Sequence, residues 1–166
     1  MHRQICIYAA FVGLNVLCVG LLADEPAKTA TMPSRDELIK KLEENLTGAK
    51  LIGSYSVQGR EDRPPKAEEY TITSANKLPE GDIWLINARI KYGEKDVTIP
   101  MPLEIKWAGD TPIITLTNLT IPGLGTFTSR VLIYDNRYAG TWQHGNVGGN
   151  LFGRIEKVKA ETAEAK

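Results

Sequence analysis

The hydrophobic pattern changes period once along the chain. Apolar positions first recur every four residues, at Leu38, Leu42 and Leu46 with Ile39 beside them, which is the spacing of one helix face. Ser34 followed by Glu37 is a capping-box signature in front of that face, and Gly48 supplies the left-handed residue that commonly ends a helix. The spacing predicts one helix from Ser34 to about Thr47, with its leucines packed against something larger. From Ala49 onward the period is two, as in strands with one buried face. The clearest stripe is Val97, Ile99, Met101, Leu103, Ile105 and Trp107, with Thr98, Pro100, Pro102, Glu104 and Lys106 on the other side. Trp84, Ile86, Ala88, Ile90 and Tyr92 form a second stripe, and Tyr138, Gly140 and Trp142 a third.

Eight strands are predicted, at roughly Ala49 to Gln58, Glu68 to Lys77, Asp82 to Tyr92, Asp96 to Trp107, Pro112 to Asn118, Thr126 to Tyr134, Arg137 to Gln143 and Leu151 to Val158. Turn residues separate them: Pro64-Pro65, Pro79-Glu80-Gly81, Gly93-Glu94-Lys95, Gly109-Asp110, Pro122-Gly123, Asp135-Asn136, and Gly145-Asn146 with Gly148-Gly149. Connections this short join neighbouring antiparallel strands, so the fold class is mainly β, an antiparallel eight-stranded meander barrel with one N-terminal helix. A sandwich is the alternative way to bury the same faces. Pro100 and Pro102 qualify the barrel. Residues two apart point their backbone N–H groups to the same neighbour, and neither proline has one, so the barrel is expected to be split or bulged along this strand, with the helix near the seam.

Composition agrees with a globular protein: 166 residues, 42% apolar, 24% charged, with 20 basic and 20 acidic side chains. Residues 1–23 read as a signal peptide, a short basic start and an apolar stretch that turns polar at Asp24. An uncleaved N-terminal membrane anchor is the alternative, since the apolar run approaches the length that spans a bilayer. Cleavage would leave residues 24–33 as a polar linker, 34–158 as one helix-plus-barrel domain and 159–166 as a charged, disordered tail. It would also remove both cysteines, Cys6 and Cys18, leaving an exported chain, periplasmic or extracellular, with no disulfide. Arg3 is the only charged residue of the first 23, so the remainder carries one net negative charge and no basic excess for nucleic acid. Asn45 and Asn118 head Asn-x-Thr sequons, which matter only in a glycosylating cell.

Candidate chemistry is sparse. His144 is the single histidine after the export segment, too few for a histidine metal site, and no cofactor motif is present. Gly123-Leu124-Gly125 lacks the third glycine of a nucleotide fingerprint and reads as a turn. No Gly-x-Ser-x-Gly elbow presents a nucleophile, so catalysis has no positive support. Arg60, Glu61, Asp62, Arg63, Lys66, Glu68 and Glu69 form a mixed-sign run that reads as a solvated loop, or as a gate if it sits at a barrel mouth. Glu68 and Glu69, being adjacent, point to opposite faces and cannot share a proton. The aromatic residues either fill the core or line a cavity; the residues expected to line one are Trp84, Tyr92, Met101, Trp107, Tyr138, Trp142 and His144.

A leading helix, a strand beginning Leu51-Ile52-Gly53-Ser54-Tyr55, an antiparallel meander and a closing hairpin at Tyr138-Ala139-Gly140-Thr141-Trp142 resemble the lipocalin-like (calycin) domains of small exported bacterial proteins over about Ser34 to Val158. Tyr55 stands where that family's Gly-x-Trp signature has tryptophan. The resemblance implies binding of a small apolar or amphipathic molecule. The expectation is therefore a non-enzymatic exported module with a small apolar ligand. An envelope structural or protein-interaction domain using an exposed strand edge is the second reading, and an enzyme the third.

Overall fold

The computed structural model describes residues 32–158, apart from Gly93 and the side chains of Tyr92 and Lys95. The expected signal peptide, most of the linker and the expected tail lie outside the described residues. Helix α1 spans Arg35–Leu46. Eight strands follow: β1 Ala49–Tyr55, β2 Lys66–Lys77, β3 Ile83–Tyr92, β4 Lys95–Ala108, β5 Thr111–Ile121, β6 Gly125–Tyr134, β7 Arg137–His144 and β8 Val147–Lys157. Each strand pairs antiparallel with the next and β8 returns to β1, closing an eight-stranded meander barrel. Among the described residues, no helix is long and apolar enough to cross a membrane.

The helix forms as its local chemistry dictates. Glu37 N–H donates to the Ser34 hydroxyl at 3.3 Å, and Ser34 N–H donates back to the Glu37 carboxylate at 2.7 Å. Leu38, Leu42 and Leu46 are buried, Leu46 completely. The helix is tied to the barrel by polar contacts as well. Lys77 N–H donates to Glu43 at 2.7 Å, Ala75 N–H to the Thr47 hydroxyl at 3.1 Å, and the Lys157 ammonium reaches the Glu44 and Thr47 carbonyls at the helix C-terminus. Arg35 lies 5.0 Å above the Trp107 ring. These partners belong to strand ends on one side of the barrel, the end where β1 begins and β2 finishes. The helix is therefore a plug at that end, packed mainly on β2; it meets the proline strand β4 at Trp107, in its paired part, and not at the unpaired stretch where it was expected. Leu42 and Leu46 join a core cluster to which all eight strands contribute, which a seam along one strand does not provide.

The prolines do limit pairing. Beside β3 the register runs unbroken from Ile83↔Glu104 to Tyr92↔Lys95, but β4 meets β5 only from Glu104↔Thr115 to Ala108↔Thr111. The Asn87 carbonyl faces β2, accepting from the Thr73 hydroxyl at 3.1 Å, so its pair with Pro100 is a non-hydrogen-bonded one and the missing N–H lies on the β5 side. Upstream of Glu104 the barrel wall has an unpaired seam. It is closed as a circle and open along half of one strand junction.

Two irregularities set local aim. A bulge between Ile72 and Ser74 lets both Ile72 and Ala75 face inward. A second, between Leu116 and Leu119, places Asn118 in the left-handed region at φ 52 and carries β5 on to Ile121, beyond the end expected from its sequence. The β7–β8 connection is shorter than expected. Gly148 and Gly149 pair with Gln143 and Trp142 in the ladder, leaving Gly145-Asn146 as a two-residue turn.

Candidate functional site

The inner face of the barrel does not close on itself completely. A cavity of ≈ 180 Å³ lies inside, lined mostly by aliphatic and aromatic side chains, among them Ile72, Ile86, Ala88, Met101, Leu116 and Leu151. The other lining residues come largely from the end opposite the helix: Tyr55, Tyr70, Ile90, Ile121, Leu124, Phe127 and Trp142. Alternation puts the strand residues there, since each stands two or four residues from another inward position on its strand, and Leu124 is brought in by the β5–β6 turn, where its N–H donates to the Ile121 carbonyl at 3.0 Å.

One charged residue sits among them. Glu68 lines the cavity and is only 5% exposed, whereas its neighbour Glu69 points outward to Lys50 at 3.4 Å. The two carboxylates do face opposite ways, but the solvated-loop reading fails for Glu68, because β2 begins at Lys66 and Glu68 shares a face with Tyr70 and Ile72. The Tyr70 hydroxyl donates to Glu68 Oε2 at 2.8 Å, and the Tyr138 hydroxyl to Oε1 at 3.0 Å.

That second bond joins residues from β2 and β7, which have β1 and β8 between them. The register shows how. Glu68 stands opposite Gly53, Gly53 opposite Gly153, and Gly153 opposite Tyr138, one inward row across four strands. A methyl group at Gly153 would lie 2.6 Å from Tyr138 Cε1, and one at Gly53 would collide with Tyr138 Oη. The phenol ring therefore lies flat over two positions without side chains, and only glycine leaves it that path.

Burial pushes the Glu68 carboxyl above its ordinary value of 4.5, against the two tyrosine hydrogen bonds, which pull it down. Burial and the adjacent carboxylate push the Tyr70 and Tyr138 hydroxyls up as well. The consequence for stability has a definite sign. The fold favours protonated Glu68, so this contribution is fully present below pH 4.5 and is lost as pH rises through the raised folded value. Glu68→Gln removes the titration while keeping an acceptor and a donor for the two phenols. Its stability relative to the unaltered protein, from urea titrations at pH 4 and pH 7, is expected to rise with pH. The exposed carboxylates held low by partners, Glu37, Glu61, Asp82 and Asp96, slope the other way in both proteins and cancel in that difference. A difference that stays flat or falls with pH contradicts the assignment.

Of the residues expected from the sequence to line a cavity, Met101, Tyr138 and Trp142 do so. Trp142 meets Tyr55 edge-on at 5.6 Å and donates its indole N–H to the Ser56 carbonyl at 3.1 Å. Trp84 is fully buried but not on the cavity wall, and its indole N–H has no hydrogen-bond partner among the described residues. Trp107 lies under Arg35 at the helix end. His144 is exposed at the far end of β7, stacked on Phe127 at 4.6 Å and covering Gly125. The side chain of Tyr92 lies outside the described residues. Glu68, Tyr70 and Tyr55 were absent from the expected set. The signal for Glu68 and Tyr70 lies in the sequence, since both alternate with the same parity as Ile72, but a charge at such a position argues for solvent.

No family model, curated protein or solved structure matches this chain. Its chemistry is therefore read from the site alone. The Ser129 hydroxyl on the cavity wall donates to the Thr141 carbonyl at 2.7 Å, and among the described residues no imidazole lines the cavity beside it. Among the described residues no group of three or more His, Cys, Asp or Glu gathers as a metal would require. What the arrangement offers is apolar volume within the barrel with one polar end. Outside it, a separate groove is lined by Arg60, Arg63 and Lys66 with Val147, and shares Tyr55 with the cavity.

Proposed function

We propose that this protein is a non-enzymatic exported module that binds a small, largely apolar molecule inside its barrel. The observation that carries the reading is the cavity itself: ≈ 180 Å³ of internal space walled by apolar side chains in a barrel whose other end is plugged by α1. An apolar cavity of about 150 Å³ engineered into another protein stays dry and takes up benzene, so this one has room for a ligand of about one ring. The likeness of Gly53-Ser54-Tyr55 and the Trp142 hairpin to lipocalin-like domains supports the same class of ligand. Export to a periplasmic or extracellular space follows from reading residues 1–23 as a signal peptide.

The strand-edge alternative draws less support. Among the described residues the unpaired junction leaves two edges, β4 upstream of Glu104 and β5 beyond Thr115; on the β4 edge Pro100 and Pro102 remove two of the N–H groups an added strand would need, and the β5 edge is interrupted by the bulge at Asn118.

Toluene tests the reading. At about ten times its dissociation constant it is expected to raise the thermal midpoint by about 3 °C. Ala88→Leu puts an isobutyl group into the cavity from a position that is buried and on its wall. That variant is expected to fold with unimpaired stability and to lose the toluene shift. No toluene shift in the unaltered protein, or an undiminished shift in Ala88→Leu, would count against an internal site.

A further inference from the structure

The polar end of the cavity has a fixed hydrogen-bond polarity. Tyr70 and Tyr138 each place their single hydroxyl proton on Glu68, so the lone pairs of both phenols are what remain for a guest. The carboxylate adds its own unused lone pairs. Every valence that Glu68, Tyr70 and Tyr138 leave open is thus an acceptor, and a ligand that meets this trio must bring the donors.

Charge narrows the choice further. Among the described residues Glu68 is the only charged one on the cavity wall, and it makes no ion pair there. A carboxylate held in an apolar enclosure with hydrogen bonds but no cation is incompletely compensated. The cations of the outer groove, Arg60, Arg63 and Lys66, are not on the cavity wall. An anionic ligand would meet repulsion from Glu68 and no donor from Tyr70 or Tyr138, and an alcohol would supply one proton where several acceptors converge.

We propose that the cavity binds a small primary amine with an apolar body of about one ring, its ammonium acting as counter-ion to Glu68 and donating also to the hydroxyl oxygens of Tyr70 and Tyr138. An ammonium carries three donors, matching one carboxylate flanked by two phenols. This proposal rests on the cavity-binding reading above and names its ligand class.

Calorimetric titration at pH 8 with benzylamine, benzyl alcohol, benzoate and toluene separates the two. Benzylamine is expected to bind about tenfold or more tightly than toluene, and benzoate most weakly of the four. In Glu68→Gln the benzylamine advantage is expected to vanish while toluene affinity stays within about twofold, since the apolar wall is untouched. Benzylamine binding no better than toluene or benzyl alcohol overturns the amine proposal and leaves the cavity reading standing. So does an advantage that survives Glu68→Gln, or benzoate as the best ligand. Failure of toluene and benzylamine alike overturns both.

Should the variant fail to fold, the unaltered protein carries the same test through pH. The titratable groups facing Glu68 are Tyr55 on β1, Tyr70 on β2 and Tyr138 on β7; β3 places Tyr92 opposite it by register, and β8 contributes Gly153 to its row. Tyrosines keep their protons across the acidic range, so of these facing groups Glu68 is the one that changes there. As acid protonates it, the advantage of the still-charged benzylamine over toluene is expected to fade. An advantage independent of pH from 8 to 4 overturns the proposal.

Discussion

Gly53→Ala is expected to destabilise the protein by about 3 kcal/mol or more, the upper range for forcing atoms into a packed interior. The added methyl would overlap the Phe152 carbonyl oxygen and Tyr138 Oη and lie 2.8 Å from Gly153 Cα. Two of those three neighbours are backbone, so moving one flexible side chain does not relieve the collision. The β1–β8 pair has to separate, or the phenol has to leave the row that carries it to Glu68. Tyr138→Phe removes only the hydroxyl, and is therefore not expected to rescue Gly53→Ala. Gly59→Ala is the control. Gly59 has positive φ of +76 but nothing within 4 Å of the new methyl, so it isolates the conformational cost, about 1 kcal/mol. Urea denaturation of the three variants checks the argument. A Gly53→Ala loss no larger than that of Gly59→Ala would mean that the row of glycines is not sterically required.

Leu46→Ala is expected to cost about 2–5 kcal/mol, as for other leucines removed from fully enclosed positions. Leu46 is 0% exposed and belongs to the same core cluster as Trp84, Ile105 and Ile133. The expected loss appears in the global unfolding midpoint, because the last turn of α1 is tied to β2 through Thr47–Ala75 and to β8 through Lys157. Helix and barrel should lose structure together. If Leu46→Ala frays the helix by circular dichroism while the barrel unfolds at its original urea concentration, the plug is a separate unit and the coupling argued here is wrong.

Much of the barrel was legible in the sequence. All eight strands and the helix fall where the hydrophobic period and the turn residues place them, with ends displaced by a few residues. Those displacements have causes in pairing. β2 starts at Lys66 because β1 is there to pair with Lys66 and Ala67, and Gly148-Gly149 lies in β8 because β7 holds it, although glycines at a chain reversal look like turn. Pro100 and Pro102 announced the unpaired junction correctly, since a missing N–H is a property of the residue and not of its surroundings. The helix location was not legible, because an apolar stripe states that it will be buried and not against what.

The candidate site was legible only in part. Met101, Tyr138 and Trp142 follow from alternation. Trp84 and Trp107 obey the same alternation and lie elsewhere, because parity gives the inner face of a strand but not the height along the barrel at which space is left. Glu68 escaped for the opposite reason. Its parity was right and its charge argued for solvent, and nothing local showed that two phenols, one of them 70 residues away, would receive it.

The order of residues by itself determined the period, the turns, the capping box and the proline gaps, all of which act over a few neighbouring positions. Closure of the strands into a ring was a tertiary outcome, and so were the void left inside it and the meeting of Glu68 with Tyr138 across Gly53 and Gly153. Those depend on which side chains face one another across strands far apart in sequence, and on how much volume their packing fails to fill. No local pattern encodes either quantity.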